Sequence, residues 1–161
     1  MAEQRLWAPW RLDYIRGEKD EGCFLCRAIE ADPSEDREHY VVHRGESCFV
    51  ILNKYPYNNG HVMVAPNAHE GSIEELGPDE LVEIWDLTKR SMAALRAVYR
   101  PEGFNIGVNQ GKIAGAGVED HIHLHVVPRW DADTNFMPVI GDTRVLPQAL
   151  DESWRELSEA F

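Results

Sequence analysis

Apolar positions along the chain follow two rhythms. Between Pro78 and Arg100, residues Leu81, Ile84, Trp85, Leu87, Thr88, Met92, Leu95 and Tyr99 recur at spacings of three and four. This predicts one amphipathic helix whose buried stripe includes Trp85 and Met92. Pro78 suits its first turn and Pro101 ends it. Elsewhere the pattern is short and strand-like. Tyr40–His43 and Cys48–Leu52 read as strands joined by the turn Arg44-Gly45-Glu46, and His61–Pro66 returns after the turn-rich loop Asn53–Gly60. Gly103–Asn109 alternates as a further strand, and so does His121–Val127. A short helix is expected at Arg27–Glu30, followed by a polar loop from Asp32 to Glu38. The tail, residues 147–161, reads as a helix docked by Leu150, Trp154 and Leu157. Strands, one long helix and then strands again, without regular alternation, predict an α+β domain with an antiparallel sheet.

The last strand carries the chemistry. In His121-Ile122-His123-Leu124-His125-Val126-Val127 an extended chain puts three imidazoles on one face and the aliphatic residues on the other. Three titratable rings side by side are a poor choice for a merely solvated surface. Two chemistries fit: a three-histidine zinc site with an open position for water, or one imidazole attacking phosphorus while its neighbours orient it and bind the oxygens. His43, alone at a strand end, is read as structural.

Length and charge narrow the partners. The 161 residues, 43% hydrophobic, suffice for one domain over 1–161 with a full core. A net charge of −12 disfavours nonspecific binding to nucleic acid or to an anionic membrane. Local donors still suit a small anionic substrate. No apolar run reaches membrane-spanning length and no secretory pattern opens the chain, so a cytoplasmic protein is expected. Within residues 1–22, Leu6–Ile15 holds two Trp, a Tyr and a Pro, an aromatic segment expected to pack on the domain or on a partner subunit.

Three cysteines make no disulfide framework. Cys23 and Cys26 form a C-x2-C pair, readable as half a zinc site or as a redox pair, although the polar run Glu18–Gly22 is not the strand a thioredoxin-like motif requires. Cys48 reads as a buried thiol. The glycine-rich stretch Gln110–Gly117 delivers the chain into the histidine strand, and such loops let backbone N–H groups approach a phosphate.

From the Cys pair, through Gly60–Pro66 and Phe104-Asn105, to His-x-His-x-His followed by Pro128-Arg129, roughly residues 23–130, the chain resembles the histidine triad (HIT) family of nucleotide hydrolases and transferases. The resemblance implies a HIT-like fold: a five-stranded antiparallel sheet with one long helix and a C-terminal helix, the sheet extended across a homodimer. It makes His123 the nucleophile toward the α-phosphorus of a nucleotide and His125 a donor to the α-phosphate or the bridging oxygen. By the same resemblance Asn109 and the backbone of Gly115, Ala116 and Gly117 contact phosphate, and Asn53 binds the ribose. Zinc-containing members ligate a structural zinc ion with residues that correspond here to Cys23, Cys26, His69 and His121.

Gly117 stands where common hydrolases of the family carry Gln or Ser, which leaves a larger pocket. Together with Trp7-x-Pro9-Trp10-Arg11 and Val127-Pro128-Arg129-Trp130, this resembles the family's bacterial diadenosine tetraphosphate phosphorylase branch. That branch implies adenine nucleotides and inorganic phosphate as partners, with ATP and ADP as products. Trp130 is then a substrate-side or a packing residue, and magnesium is expected to travel with the polyphosphate. The alternatives are hydrolysis of dinucleoside polyphosphates or phosphoramidates to AMP, a zinc hydrolase using all three histidines, and a nucleotide-binding module without turnover.

Overall fold

The structure, a computed structural model, describes residues 22–133 and 146–161. The aromatic segment Leu6–Ile15 lies outside the described residues. Five strands, β1 (Val41–Arg44), β2 (Cys48–Leu52), β3 (Val62–Pro66), β4 (Gly103–Val108) and β5 (Leu124–Arg129), form one sheet in the order β1-β2-β3-β5-β4 with every pair antiparallel. Among the described residues four α-helices accompany it: α1 (Phe24–Glu30), α2 (Asp36–His39), α3 (Pro78–Tyr99) and α4 (Leu150–Ala160).

The long helix forms where its pattern predicts it. Glu80 accepts the Gly77 N–H at its start, and Arg100 leaves the helix with φ +51 just before Pro101. The buried hydroxyls of Thr88 and Ser91 donate to the carbonyls of Ile84 and Leu87, so the apolar stripe carries no unpaired polar group there. Ile84, Leu87, Ala94 and Leu95 pack on Val50, Leu52, Val62, Val64, Leu124 and Val126 of the sheet. Trp85 departs from its expected place in that stripe: it is 54% exposed. In a 3.6-residue repeat Trp85 sits one position past Ile84, on the shoulder of the buried face rather than its centre.

The opposite face of the sheet holds a second, smaller core, in which Leu25 and Ala28 of α1 cover Phe49, Ile51, Met63 and Ala65. Helix α1 begins at Phe24, three residues earlier than the sequence pattern suggests, and the expected polar loop contains the 3-10 turn Pro33–Glu35 and α2. Arg44 explains how α1 is held. Its guanidinium donates to the carbonyls of Ala28, Ile29 and Ala31 at the end of α1 and pairs with Asp36 at 2.7 Å. Helix α4 docks with Leu157 buried and the Trp154 indole N–H donating to the Val41 carbonyl at 2.7 Å.

The histidine strand starts later than its alternation suggests. Pairing begins at Leu124, and the Ile122 N–H leaves the ladder to donate to the Glu70 carbonyl at 2.6 Å. The alternation of faces still holds, since Ile122, Leu124 and Val126 enter the α3-side core.

Candidate functional site

The three imidazoles divide between two neighbouring centres. The first is built from four separate segments. Cys23 stands at the head of α1 and Cys26 one turn later, His69 follows the end of β3, and His121 precedes β5. Cys23 Sγ lies 3.3 Å from His121 Nδ1, and Cys26 Sγ lies 3.1 Å from His69 Nδ1 and 3.5 Å from His121 Nδ1. All four ligand atoms fall within 4.8 Å of one another. His121 Nε2–H donates to the Pro66 carbonyl at 2.8 Å, which leaves the Nδ1 lone pair turned toward the thiols. A backbone carbonyl on the far nitrogen is the usual support of a metal-bound imidazole. The Cys2His2 set therefore fits a closed tetrahedral metal site. Burial first, and the adjacent Cys23 second, push the Cys26 thiol up to about 11.

The second centre is His123 with His125. His123 is buried, and its Nδ1–H donates to the backbone carbonyl of His121 at 2.8 Å. The Nε2 lone pair is thereby left for chemistry, and burial holds the ring below the usual histidine range, so that it is neutral at pH 7. His125 lies edge-on to His123 with ring centroids 4.8 Å apart. Burial, then the neighbouring His123, push it down to about 4. Since both nitrogens of His121 are spent on the Cys pair and on Pro66, the three histidines do not converge on one metal, and the three-histidine zinc hydrolase has no site here.

The sequence reading missed His61. It is fully buried at the head of β3, placed by a turn at Gly60, whose φ of +76 and close approach to Leu95 and Tyr99 suit no side chain. The N–H of Tyr57 and the amide of Asn53 both donate to His61 Nδ1, at 3.0 and 3.3 Å, so the proton resides on Nε2. That Nε2–H donates to His125 Nδ1 at 2.9 Å, which fixes the proton of His125 on Nε2. A chain of three bonds thus makes His125 a neutral donor facing outward from the relay. A histidine inside an apolar strand needs a partner when buried. That signal, in Gly60-His61-Val62, was available.

The other expected site residues are placed as follows. Asn53 Oδ1 accepts the Tyr55 N–H at 2.9 Å, so its side chain shapes the β2–β3 loop as well as touching His61. Asn109 follows Val108, the last β4 residue paired with β5, and the pairing Val108↔Leu124 puts it next in line beside His123. In the glycine-rich loop the N–H groups of Gly115 and Ala116 donate to Lys112 and Gly111 carbonyls, closing a turn. Among the described residues only the Gly117 amide of this trio is outside such a bond, and the space beside its α-carbon is open. Trp130 donates its indole N–H to the Tyr99 carbonyl at the end of α3. Being five residues beyond His125, it sits roughly 16 Å along the strand, which within one chain is a packing position.

Comparisons with known proteins agree with this geometry. The HIT domain profile matches residues 34–132. The AP-4-A phosphorylase of Mycobacterium tuberculosis is 38% identical over 161 residues, covering 96% of this chain and 83% of that protein. The asymmetrical bis(5'-nucleosyl)-tetraphosphatase of Schizosaccharomyces pombe is 30% identical over 93 residues, 58% of this chain and 50% of that protein. Among solved structures, a zinc-bound histidine triad family protein from Mycobacterium smegmatis superposes with a TM-score of 0.67 at 28% identity, covering 86% of this chain and 92% of that one. With the sheet order, the triad and the Cys pair all in place, the chain belongs to the HIT domain family.

Proposed function

We propose that the protein is a nucleotidyltransferase that cleaves diadenosine tetraphosphate, or a related dinucleoside polyphosphate, by phosphorolysis. The observation that carries the reading is the buried, neutral His123, with Nδ1–H held by the His121 carbonyl and Nε2 left unprotonated beside the outward donor His125. His123 Nε2 attacks the α-phosphorus, the P–O bond to the β-phosphate breaks, and ATP departs, leaving AMP on the imidazole. His125 Nε2–H bonds the oxygen on which charge grows. An oxygen of inorganic phosphate then displaces His123 from phosphorus and gives ADP. Asn109 and the Gly117 amide bind the phosphate, Asn53 the ribose hydroxyls, and the open space at Gly117 admits the incoming phosphate.

Similarity to the mycobacterial phosphorylase supports phosphate as the acceptor, and similarity to the fission-yeast tetraphosphatase favours water as the second reading. Brief mixing with substrate followed by mass spectrometry tests the intermediate, with an adenylyl group expected on His123. Product analysis with and without inorganic phosphate separates the acceptors: ADP, formed only when phosphate is present, supports phosphorolysis, whereas AMP under both conditions overturns it in favour of hydrolysis.

Cys23, Cys26, His69 and His121 would hold a zinc ion, which supplies no chemistry and ties α1 to the start of β5. No second ligand cluster occurs at the triad among the described residues, so magnesium would arrive with the polyphosphate. The protein is a homodimer in this reading. Among the described residues strand β4 is an edge of the sheet, Ile106 upon it and Trp85 of α3 are exposed beside a groove of about 230 Å³, and Val82 of α3 is exposed as well. Sedimentation of Trp85→Glu checks this, a monomer being expected. Among the described residues no helix is long and apolar enough to cross a membrane, and the three cysteines are free thiols. A reducing cytoplasm would keep them so.

A further inference from the structure

The loop between β2 and β3 feeds the relay through two donors, and a third residue fastens that loop to the exit of the histidine strand. Tyr57 gives its backbone N–H to His61 Nδ1, and Asn53 gives its side-chain amide to the same nitrogen. Asn58 lies between Tyr57 and the turn at Gly60, and no step of the proposed reaction touches it. Its carbonyl accepts the His61 N–H at 3.2 Å, and its Oδ1 accepts the Asn59 N–H at 3.2 Å. Its Nδ2 leaves the loop altogether. It donates to the Pro128 carbonyl at 3.1 Å and to Asp133 Oδ2 at 2.8 Å, the latter 75 residues further along the chain.

The anchor at that end is stiff. The Asp133 side chain is 8% exposed, and its carboxylate accepts Nε–H and Nη2–H of Arg129 at 2.6 and 2.8 Å and the Trp130 N–H at 3.1 Å. A guanidinium bound through two nitrogens fixes a carboxylate in direction as well as in place. Arg129 is the last residue of β5, and its Nη1 donates to Asn105 Oδ1 on β4 at 2.6 Å. His125 projects from the same strand, and its Nδ1 accepts the Nε2–H of His61. A closed circuit results. Strand β5 carries His125 and, through Arg129 and Asp133, holds Asn58; the backbone at Asn58 sets Tyr57 and His61; His61 returns to His125. Both ends of the His61–His125 bond are thereby referred to one strand.

We propose that Asn58 is a positioning residue for this relay. Its clasp on Asp133 and Pro128 keeps the Tyr57 N–H on His61 Nδ1, which keeps the proton of His61 on Nε2 and that of His125 on its outward nitrogen. The inference rests on the reading of His125 as a donor to the substrate. Asn53 is held separately, by its N–H on the His61 carbonyl, and its amide is the longer of the two bonds to Nδ1, 3.3 Å against 3.0 Å. Loss of the clasp therefore weakens the tautomer without abolishing it.

The test is a double-mutant cycle with His61. Asn58→Ala should lower kcat for diadenosine tetraphosphate about tenfold with KM within about twofold, a smaller loss than that of His61→Ala. In the His61→Ala background the same substitution should change kcat by less than about twofold, since the clasp then has nothing to set. An equal loss in both backgrounds overturns the proposal. Asn58→Ser separates the clasp from the local turn. Its hydroxyl can still accept the Asn59 N–H but is too short to reach Asp133, so this variant should behave as Asn58→Ala. Wild-type kcat in Asn58→Ser overturns the clasp. Nitrogen NMR of the imidazoles needs no turnover: His61 and His125 should each carry the proton on Nε2 in wild type, and in both Asn58 variants the His61 signals should move toward a mixture of tautomers. Unmoved signals in either folded variant overturn the proposal. Absence of turnover by wild type would instead strike the proposed reaction, while the NMR comparison still decides the clasp.

Discussion

His121 and His123 are two residues apart in one motif, are both buried, and are both held below the ordinary histidine range chiefly by burial. Their tasks differ because their nitrogens are spent differently. His121 gives Nε2–H to Pro66 and turns Nδ1 to the thiols, so nothing is left for a substrate. His123 gives Nδ1–H to the carbonyl of His121 itself and keeps Nε2. In the proposed reaction the side chain of the first residue thus belongs to the Cys2His2 cluster, while its backbone orients the proposed nucleophile. Residue type alone does not assign a histidine its role; the hydrogen bond on the nitrogen not used for chemistry does.

The sharpest way to break this contrast is to truncate each ring in turn. His123→Ala should lower kcat by about 10⁴-fold or more, as removal of a nucleophile does, while the metal content stays that of wild type. His121→Ala should lose the metal and should retain measurably more activity, because the backbone carbonyl that orients His123 survives the substitution. Equal activity losses in the two variants, with metal kept in both, would show that the division of labour is wrong.

His61 sharpens the comparison by asking how far the donor depends on its tautomer. His61→Ala removes the group that holds the proton of His125 on Nε2, and a loss of about 10²-fold in kcat with little change in KM is expected for a misdirected donor. A pH–rate profile distinguishes this from a folding defect, since the profile of the variant should change shape. A merely destabilised enzyme would keep the wild-type shape.

Metal removal probes the other half. Binding at a hundredfold excess over Kd stabilises the folded state by about 2.7 kcal/mol. At roughly 3 °C per kcal/mol for a chain of this length, chelation should lower the melting midpoint by about 8 °C. Cys26→Ser should show a low midpoint with or without chelator, whereas His123→Ala should respond to chelator as wild type does.

The large features were legible because they are repetitive. Leu81, Ile84, Leu87 and Leu95 mark α3 by period, and the alternation from Ile122 to Val126 assigns faces even though ladder pairing begins only at Leu124. The spacing of the Cys pair left a zinc half-site and a redox pair both open, and its partners His69 and His121, the latter 98 residues from Cys23, were reached only through resemblance to a family. What stayed hidden depended on particular directions in space. Trp85 differs from Ile84 by one step around a helix, and that step takes it from core to surface. His61 looked like the polar edge of an apolar strand, and its role appears only when β3 pairs beside β5 and brings Met63 opposite His125. Gly115 and Ala116 read as a phosphate cradle, but their N–H groups close a local turn first, a use that composition cannot reveal.

The smallest expected effect concerns the acid side of stability and isolates His125 from the metal ligands. Its folded pKa of about 4 lies below the value near 6.5 of an unfolded histidine. Between those values the unfolded chain binds more protons, so stability rises with pH. The contribution is fully present above about pH 6.5 and is lost as pH falls toward 4. Urea midpoints of wild type and His125→Gln should therefore converge on acidification, with wild type losing roughly 1 kcal/mol more than the variant between pH 7 and pH 5, about half the unscreened value because the ring is only partly buried. His43 is also held low by burial and by Arg90, and it is present in both proteins, so its share cancels in the difference. Parallel loss in the two proteins would mean that His125 is not kept neutral by its surroundings. The outward Nε2–H donor, which separates its task from those of His121 and His123, would then rest on the Tyr57–His61 relay alone.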